Sequence, residues 1–433
     1  MRLRLALPLL LLAACGSDPD DDDTATTSTS FATASASASS TATATTTTTG
    51  ATTSAATDDG TSDSSSTGDA TTGTSAGPTT AATESDTEAT TTTTGTTGGD
   101  DGPPYTCPPD LEPCPAFPGA SWESREPAAL GLDAGLLDQL AAATGGGRGC
   151  VFRYGYQALC WGNPGEKFEW ASASKPAWST FLLFAVAEGR LADVDALIAD
   201  WDWPLSAADQ GMSFRHLANQ VSGYALPEPP GAAWGYNDYA IKLYARTLFE
   251  RVFADGGDAN QVAGDPARLG PLGFQDGPFF AMVKGAPRVS TTPRDFARFG
   301  WLWANHGRWG DAVIVPPDLI EMALEPGVPG GLPRTAGAPL DDYLGIGTAG
   351  GGADQTPLGP GTYAFNWWLN TNGATWPSAP ADTIQANGHW NGEVLTVIPS
   401  LGIVAAWKGK GTDAATFNGP MDSLLALLVA AAE

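Results

Sequence analysis

The sequence predicts an α/β fold in which one antiparallel sheet is built from the N- and C-terminal segments of a domain, is flanked by helices, and is interrupted by a mainly helical insert. A β-hairpin is expected at residues 150–161, near the start of the part of the chain that can fold. Two β-rich runs, residues 393–399 and 402–408, stand near the end and are joined by a tight turn. Between the hairpin and these runs, apolar residues recur at the spacing of helices. Strands at both ends with helices between favour one sheet assembled from both ends of the domain.

The helices are predicted from apolar spacing and from their end signals. In chain order they cover residues 130–143, 177–187, 238–253, 293–305 and 421–432. The second is apolar on every side, which indicates a helix buried inside the domain. Thr292 before Pro293 marks the start of the fourth, because a hydroxyl can cap the helix and proline suits its first turn.

Composition divides the 433-residue chain into three parts. Residues 1–14 are short, basic at the start and then apolar, whereas residues 15–103 hold 14 acidic residues, no basic ones, and mostly Thr, Ser, Ala and Gly. A segment of the second kind cannot bury enough apolar surface to offset the entropy of ordering it, so we expect a disordered acidic tether. Residues 104–433 hold nearly all the aromatic side chains and are expected to form the folded domain.

Net charge and histidine content exclude several function classes. The chain carries −27, and residues 104–433 have 34 acidic against 19 basic side chains. The electrostatic field of a negatively charged domain repels phosphate backbones, so we expect no nucleic-acid partner. His216, His306 and His389 are the only histidines and stand far apart, so we expect no metal site. No cofactor is implied.

Residues 1–14 are typical of a secretory signal peptide, because their apolar run is too short to span a bilayer. Residues 12–15, Leu-Ala-Ala-Cys, resemble the lipobox of bacterial lipoproteins. That resemblance implies that Cys15 is acylated and that the exported domain hangs from a membrane by its tether. Gly16 follows the cysteine in place of an aspartate, which favours the outer membrane or cell surface. An ordinary signal peptide with a chance cysteine is the alternative.

The other four cysteines predict two disulfides, because an even number in an exported chain is typical of paired thiols. Cys150 and Cys160 stand symmetrically about Gly155, as in a hairpin that places them opposite each other. Cys107 and Cys114 would then close a small loop among prolines. A zinc site is less favoured, since the four include no C-x-x-C pair.

The first candidate for catalysis is Ser172-Ala173-Ser174-Lys175, an S-x-x-K sequence at the start of the predicted buried helix. Three residues are nearly one helical turn, so Ser172 and Lys175 share a face. We expect apolar neighbours to favour the neutral amine of Lys175, which could take the serine proton, while N–H groups at the helix start face an oxyanion. The alternative is a capping serine and a lysine that extends to solvent.

Two further segments could complete such a site. Tyr236-Asn237-Asp238 precedes the third predicted helix, and a tyrosine beside a Ser–Lys pair can act as base or proton shuttle. The alternative is a packed tyrosine and a capping Asp238. Gly388-His389-Trp390-Asn391-Gly392-Glu393 leads into the penultimate strand, where a glycine permits close approach of backbone to ligand and an N–H of residues 391–393 could complete an oxyanion pair. We assign substrate binding to Asp238, His389 and Gly392.

With these three segments in order, residues 128–433 resemble the serine β-lactamase and penicillin-binding-protein superfamily, and most of all class C β-lactamases, related esterases and 6-aminohexanoate-oligomer hydrolases. The resemblance implies Ser172 as nucleophile, with Lys175 and Tyr236 moving protons, and places the third motif within His389–Gly392. Other stretches that look familial are Phe214-Arg215-His216-Leu217, Ser222-Gly223-Tyr224, residues 290–300 and Phe365-Asn366-Trp367-Trp368.

Two departures from the family pattern bear on the substrate. Asp238 stands where the family has asparagine, and no lysine occupies the third motif. That lysine helps to bind the substrate carboxylate in the family, so an ester or amide without a carboxylate is favoured over a β-lactam. The sequence thus predicts a monomeric serine hydrolase acting on a small ester, amide or short peptide. The alternative is a surface lipoprotein of the same fold whose catalytic site is impaired and whose role is binding.

Overall fold

The structure is a computed structural model that describes residues 103–348 and 350–433. The predicted signal peptide, the Cys15 lipobox and the tether lie outside the described residues. No helix in the described part is long and apolar enough to cross a membrane.

The described residues form twelve strands and eight α-helices. The strands are β1 Arg148–Arg153, β2 Tyr156–Trp161, β3 Phe168–Glu169, β4 Phe280–Val283, β5 Ala286–Thr291, β6 Arg308–Trp309, β7 Ala312–Val313, β8 Tyr363–Ala364, β9 Trp367–Leu369, β10 Ile384–Gly388, β11 Glu393–Ile398 and β12 Ile403–Lys408. The helices are α1 Ala134–Ala143, α2 Lys175–Ala187, α3 Phe214–Ala218, α4 Asp238–Thr247, α5 Ala259–Ala263, α6 Pro293–Ala304, α7 Pro317–Leu324 and α8 Asn418–Ala430.

The main sheet confirms the predicted joining of the two ends of the domain. Its seven strands lie in the order β2, β1, β12, β11, β10, β9, β8. Strand β1 pairs antiparallel with β12, so that Cys150 lies opposite Ala406, and β12 pairs antiparallel with β11. Every residue of β11 is buried. Both faces of the sheet are therefore covered, which explains why this strand is apolar or uncharged at nearly every position.

Both predicted disulfides are confirmed. Cys107 is bonded to Cys114, and Cys150 to Cys160, with the second pair directly opposite each other on β1 and β2. The hairpin is not symmetric about Gly155, however. A two-residue turn, Tyr154-Gly155, has positive φ at both positions, and a register shift follows Val151. This shift in register corresponds to one extra residue in β2, as in a β-bulge.

Helix α6 anchors the centre of the sheet. It starts as predicted, with the Thr292 side chain accepting a hydrogen bond from the Asp295 N–H. A Cβ on Gly300 would lie 2.8 Å from a Val404 methyl and 2.9 Å from a Leu395 methyl. Glycine at that position therefore lets the helix approach β11 and β12 closely.

Three predicted helix boundaries differ from the structure by three residues or more. Helix α1 starts at Ala134 rather than residue 130, because the Asp133 side chain caps it and a separate 3-10 turn precedes it. The helix predicted over 238–253 is regular only to Thr247 and continues as one π-helical turn, Leu248–Val252. The last helix starts at Asn418, three residues before the expected position.

The helical insert lies between β3 and β4 and contains α2, the buried helix that the sequence predicted. Eleven of the thirteen residues of α2 are buried. A small sheet in the order β3, β5, β4 holds the segment that enters it. Ser172 and Lys175 are thus fixed between the small sheet and the centre of the domain.

Candidate active site

Ser172 lies in a short 3-10 turn, Ala171–Ser174, between β3 and α2. The turn is anchored by Trp170, whose backbone N–H donates to Val289 O and whose indole N–H donates to Thr291 O. Ala171 has a φ of +46°, a conformation that residues with a Cβ rarely adopt. Strain of this kind persists only where the surroundings fix the backbone, and it is often found at functional sites. Ser172 itself is half-buried.

Lys175 contacts both other residues that the sequence assigned to catalysis. Its Nζ donates to Ser172 Oγ at 2.7 Å and to the Tyr236 hydroxyl at 3.1 Å, and lies 4.5 Å from the centre of the Tyr236 ring. Its side chain is 1% exposed, so the alternative of a lysine that extends to solvent is wrong. The structure therefore brings Ser172, Lys175 and Tyr236 together in one hydrogen-bonded chain.

Asp238, to which the sequence assigned substrate binding, is an ion-pair partner of Lys175. Its Oδ1 lies 2.9 Å from Lys175 Nζ, as an ion pair without the angle of a hydrogen bond, and the Asp238 side chain is 3% exposed. Its Oδ2 accepts from the Gly351 N–H at 2.9 Å. Burial alone would raise the pKa of Asp238, but the positive charge of Lys175, together with Arg288 and Gln355, holds that pKa below its ordinary value. Lys175 thus has a charged neighbour where apolar surroundings were expected.

Backbone and side-chain hydrogen bonds hold the Tyr236 loop in place. Asn237, not Asp238, caps α4, because its Oδ1 accepts from the N–H groups of Tyr239 and Ala240. The Asn237 N–H donates to Gln220 Oε1, and its Nδ2 donates to Tyr224 O. Asp238 is therefore the first helical residue, which directs its carboxylate toward Lys175.

Aromatic rings surround the Tyr236 side chain. The Trp368 ring is stacked at 6.0 Å between centroids, and the rings of Trp390, Tyr363 and Trp234 lie at 5.8, 6.2 and 6.3 Å. Trp390 is half-buried, whereas the other three are buried. Substrate bound beside Tyr236 would therefore meet apolar surface at Trp390.

The segment His389–Gly392 forms the turn between β10 and β11, and its backbone is strained. Its first three residues have φ values of +41°, +51° and +78°. Asn391 holds the turn: its N–H donates to Asn387 Oδ1, and its Nδ2 donates to Thr412 Oγ1 and Phe417 O. The Gly392 N–H donates to Gly388 O at 2.9 Å. These bonds occupy the N–H groups of residues 391 and 392, which the sequence placed, together with residue 393, among the candidate donors to an oxyanion.

Gly388, the first residue of the third candidate segment, lies close to the backbone of the Ser172 turn. A Cβ on Gly388 would lie 2.8 Å from Trp170 O and 3.1 Å from Ala171 Cβ, so the end of β10 lies directly against the Ser172 turn. A Cβ on Gly392 would meet nothing nearer than the His389 Cβ at 3.1 Å. The strand that lies beside Ser172 is thus β10, which ends immediately before the predicted motif.

His389 lies at the surface beside a buried carboxylate. Its side chain is 72% exposed, and its Nδ1 is 2.9 Å from Glu393 Oε2, whose side chain is 4% exposed. Lys408 Nζ lies 3.3 Å from the other oxygen of Glu393. The hydrogen bond to Glu393 raises the pKa of His389 above its ordinary value, with burial acting against it. His389 thus shares the buried carboxylate of Glu393 with Lys408.

Comparison with known proteins agrees with this arrangement. A family model described as Beta-lactamase matches residues 112–414. The chain belongs to the β-lactamase family. The family is one of serine hydrolases that share this fold, and the predicted resemblance to it is confirmed.

Two solved structures with low sequence identity to this β-lactamase-family chain have a similar fold. One is a proposed β-lactamase from Bacteroides dorei, with 18% identity and a TM-score of 0.52, in a match that covers 70% of this chain and 99% of that one. Another is a penicillin-binding-protein homologue from Caulobacter crescentus, with 15% identity and a TM-score of 0.51, covering 72% and 99%. The comparison with curated proteins gives no match.

The sequence did not predict the contacts of several residues in this β-lactamase-family site. Gly388 stood in the third candidate segment, but its strand was not predicted, although the alternation of residues 384–388 is typical of one. Glu393 was assigned only to a strand, although its charge among apolar neighbours is a signal of a buried ion pair. Gly351 carried no signal at all, since its contact with Asp238 joins residues 113 positions apart.

Proposed function

We propose that the chain is a serine hydrolase that cleaves an ester or amide through an acyl-enzyme and that acts as an esterase rather than a β-lactamase. One observation carries the proposal. The half-buried hydroxyl of Ser172 accepts a hydrogen bond from Lys175, which also donates to Tyr236. A nucleophile within hydrogen-bond reach of its base, with the base held by a third group, is the arrangement that covalent catalysis needs.

In the proposed reaction, Ser172 Oγ bonds to the substrate carbonyl carbon while its proton passes to the Lys175–Tyr236 pair. The bond from that carbon to the leaving oxygen or nitrogen then breaks, and the pair returns the proton to the leaving group. Water repeats the two steps on the acyl-enzyme and frees Ser172. Each proton moves along the 2.7 and 3.1 Å contacts around Lys175 Nζ.

We further propose that the oxyanion is held by the N–H groups of Ser172 and His389. His389 follows Gly388, whose missing side chain lets β10 lie against the Ser172 turn. The N–H groups of Asn391 and Gly392 already have acceptors within the turn. Backbone donors fixed before substrate arrives stabilise the developing charge without reorganisation.

The charges around the site support a substrate that lacks a carboxylate. Lys175 is paired with Asp238, Arg288 with Glu169, and Lys408 with Glu393. A cation that already has a carboxylate partner attracts a second carboxylate weakly. The half-buried ring of Trp390 beside Tyr236 favours an apolar acyl or leaving group.

Hydrolysis of p-nitrophenyl butyrate by the full chain tests the proposal. The wild-type protein should release p-nitrophenol, and a Ser172→Ala variant of equal thermal stability should not. A wild-type protein that is inactive on neutral esters, amides and nitrocefin would favour the alternative of a binding lipoprotein with an impaired site.

We also propose that the domain is anchored through an acylated Cys15, with residues 15–103 as the tether and no other membrane contact. The two disulfides indicate an exported protein. Several acyl chains on one residue hold a protein firmly to a bilayer. Wild type should partition into the detergent phase and Cys15→Ala into the aqueous phase, and aqueous partitioning of both would contradict the anchor.

A further inference from the structure

A cavity of about 400 Å³ lies where α1 and α8 meet the segment that follows β12. Among the described residues that line it, only Asn391 belongs to the turn at residues 389–392, and none is Ser172, Lys175 or Tyr236. A volume of this size is within the range of small-molecule sites. The cavity is therefore a second place on the domain where a ligand can bind.

Lys410 lines the cavity and brings a positive charge to it. Its side chain is exposed, and within the part of the chain that the structure describes its ammonium has no carboxylate or other acceptor in contact. The Lys410 N–H donates to Thr144 O at 2.8 Å, and a Cβ on Gly145 would lie 2.8 Å from the Lys410 Cβ. The base of the lysine is thus held against the end of α1, while its ammonium is available to a ligand.

The cavity is free of negative charge in a domain that is otherwise acidic. Residues 104–433 have 34 acidic against 19 basic side chains, yet none of the described residues that line the cavity is acidic. Asp422 precedes the lining residue Ser423, but its carboxylate accepts from the N–H and the hydroxyl of Ser378 at 2.8 and 3.0 Å. An unpaired ammonium without a competing carboxylate favours an anionic ligand.

The remaining lining is mostly apolar. The three hydroxyl groups in the cavity wall, those of Thr144, Thr412 and Ser423, each already donate to a backbone carbonyl. Leu424 and Leu427 also line the cavity, and because they are three positions apart on α8 they share a face of that helix. A ligand would therefore meet one cation beside an apolar wall, which suits an alkyl chain that ends in an anionic group.

We propose that this cavity binds an alkyl carboxylate, with the carboxylate on the Lys410 ammonium and the chain along Leu424 and Leu427. The single charge of a carboxylate matches the single ammonium. Acids of this kind are released when an alkyl ester is hydrolysed, so the cavity is a product site outside the catalytic centre. Only this link to the reaction rests on the proposed function, since the site itself is defined by its own lining.

Ligand-observed NMR titration of the full chain with octanoate and with octanol tests the role of the charge. Lys410→Gln should weaken octanoate binding about fivefold, the effect of a partly exposed ion pair, and should leave octanol binding unchanged. Lys284→Gln is the matched control, because Lys284 is an exposed lysine in the β4–β5 turn that makes no hydrogen bond or ion pair within the described residues. Equal octanoate affinity for wild type and Lys410→Gln would overturn the proposal.

Chain length tests the apolar wall in the same titration. Affinity should rise from butyrate to hexanoate to octanoate, by up to about fourfold for each added methylene, and Leu427→Asn should flatten this rise. An affinity that does not depend on chain length would contradict the assigned wall.

Labelling of Ser172 by a fluorophosphonate separates this cavity from the catalytic centre. Octanoate should bind the labelled and the unlabelled protein equally, and binding that is lost on labelling would place the ligand at Ser172 and overturn the proposal. A protein that neither labels nor hydrolyses esters would refute the proposed function, while the titrations of the unlabelled chain would still decide whether the cavity binds carboxylates.

Discussion

Lys175 Nζ lies 2.9 Å from Asp238 Oδ1 inside the domain, where neither side chain is more than 3% exposed. The two residues are 63 positions apart in the sequence, so the pair holds the start of α2 to the start of α4. Removing one member of such a pair leaves a charge that neither water nor protein compensates. The pair should therefore matter to folding as well as to catalysis.

Lys175→Met should abolish ester hydrolysis and lower the free energy of unfolding by about 3 kcal/mol, because Asp238 would then be buried without a cation. Adding Asp238→Asn to this variant should restore most of that stability and none of the activity. Chemical denaturation of the wild type, Lys175→Met, Asp238→Asn and the double variant provides the measurement. A double variant as unstable as Lys175→Met alone would show that the charge pair is not the cause.

Substrate selectivity should follow from the paired cations. Short-chain neutral esters should exceed nitrocefin and penicillin in kcat/KM by at least about tenfold, because each unfavourable charge contact costs about 1 kcal/mol or more. Steady-state kinetics on p-nitrophenyl esters and nitrocefin provides the comparison. A pair of esters of equal size, one with a terminal carboxylate and one with its methyl ester, isolates the charge. Efficient nitrocefin turnover would refute the carboxylate argument and leave the nucleophile assignment intact.

The contact between Gly388 and the Ser172 turn should be required for activity more than for stability. Gly388→Ala places a Cβ 2.8 Å from Trp170 O, which must displace the Ser172 turn or the end of β10. We expect kcat to fall on the order of 100-fold, the effect of a small misplacement of a catalytic group. Gly331→Ala is the matched control, because its Cβ meets nothing within 4 Å. Equal kcat for Gly388→Ala and Gly331→Ala would show that the contact of β10 with the Ser172 turn is not needed for catalysis.

His389 should make stability depend on pH in a defined direction. Its hydrogen bond to Glu393 raises the folded-state pKa, so protonation favours the folded state. That stabilisation is fully present below the unfolded-state pKa of about 6.5 and is lost as pH rises through the higher folded-state pKa. The loss of stability in His389→Gln should thus be larger at acidic than at alkaline pH, although small because the side chain is 72% exposed.

His216 supplies a control of opposite sign for this experiment, since burial lowers its pKa. Protonation then disfavours the folded state, so stability associated with His216 should decline as pH falls below about 6.5. Equilibrium denaturation across this pH range measures both variants. The same pH trend for His389→Gln and His216→Gln would contradict the assigned environments.

The sheet and its helices could be predicted because the sequence patterns that indicate them lie within single elements or, for the hairpin, on either side of its turn. The all-apolar helix, the Thr292 cap and the pairing of Cys150 with Cys160 all follow from neighbouring residues. The bulge after Val151 could not be foreseen, because it depends on how β1 fits β12 as well as β2. The start of α1 was missed since Asp133 competes with apolar spacing that continues upstream.

The candidate site was predictable where spacing alone determines contact. Ser172 and Lys175 are one turn apart, so their 2.7 Å contact follows from the chain itself. The ion pair between Asp238 and Lys175 was not predictable, because it joins residues that are 63 positions apart and depends on the tertiary structure. The register of the third motif was uncertain for a related reason, since a strained turn at His389–Asn391 has no regular pattern.

The nucleophile assignment is the central claim, and mapping of a fluorophosphonate adduct tests it most directly. Wild-type protein is treated with the probe, digested and analysed by mass spectrometry, with Ser172→Ala and Ser174→Ala as parallel samples. Ser174 is the matched control, because it lies in the same turn and its hydroxyl accepts a hydrogen bond from the Val289 N–H. We predict one adduct, on Ser172, present in wild type and Ser174→Ala and absent from Ser172→Ala. No adduct on folded wild-type protein, or an adduct that persists in Ser172→Ala, would contradict the account.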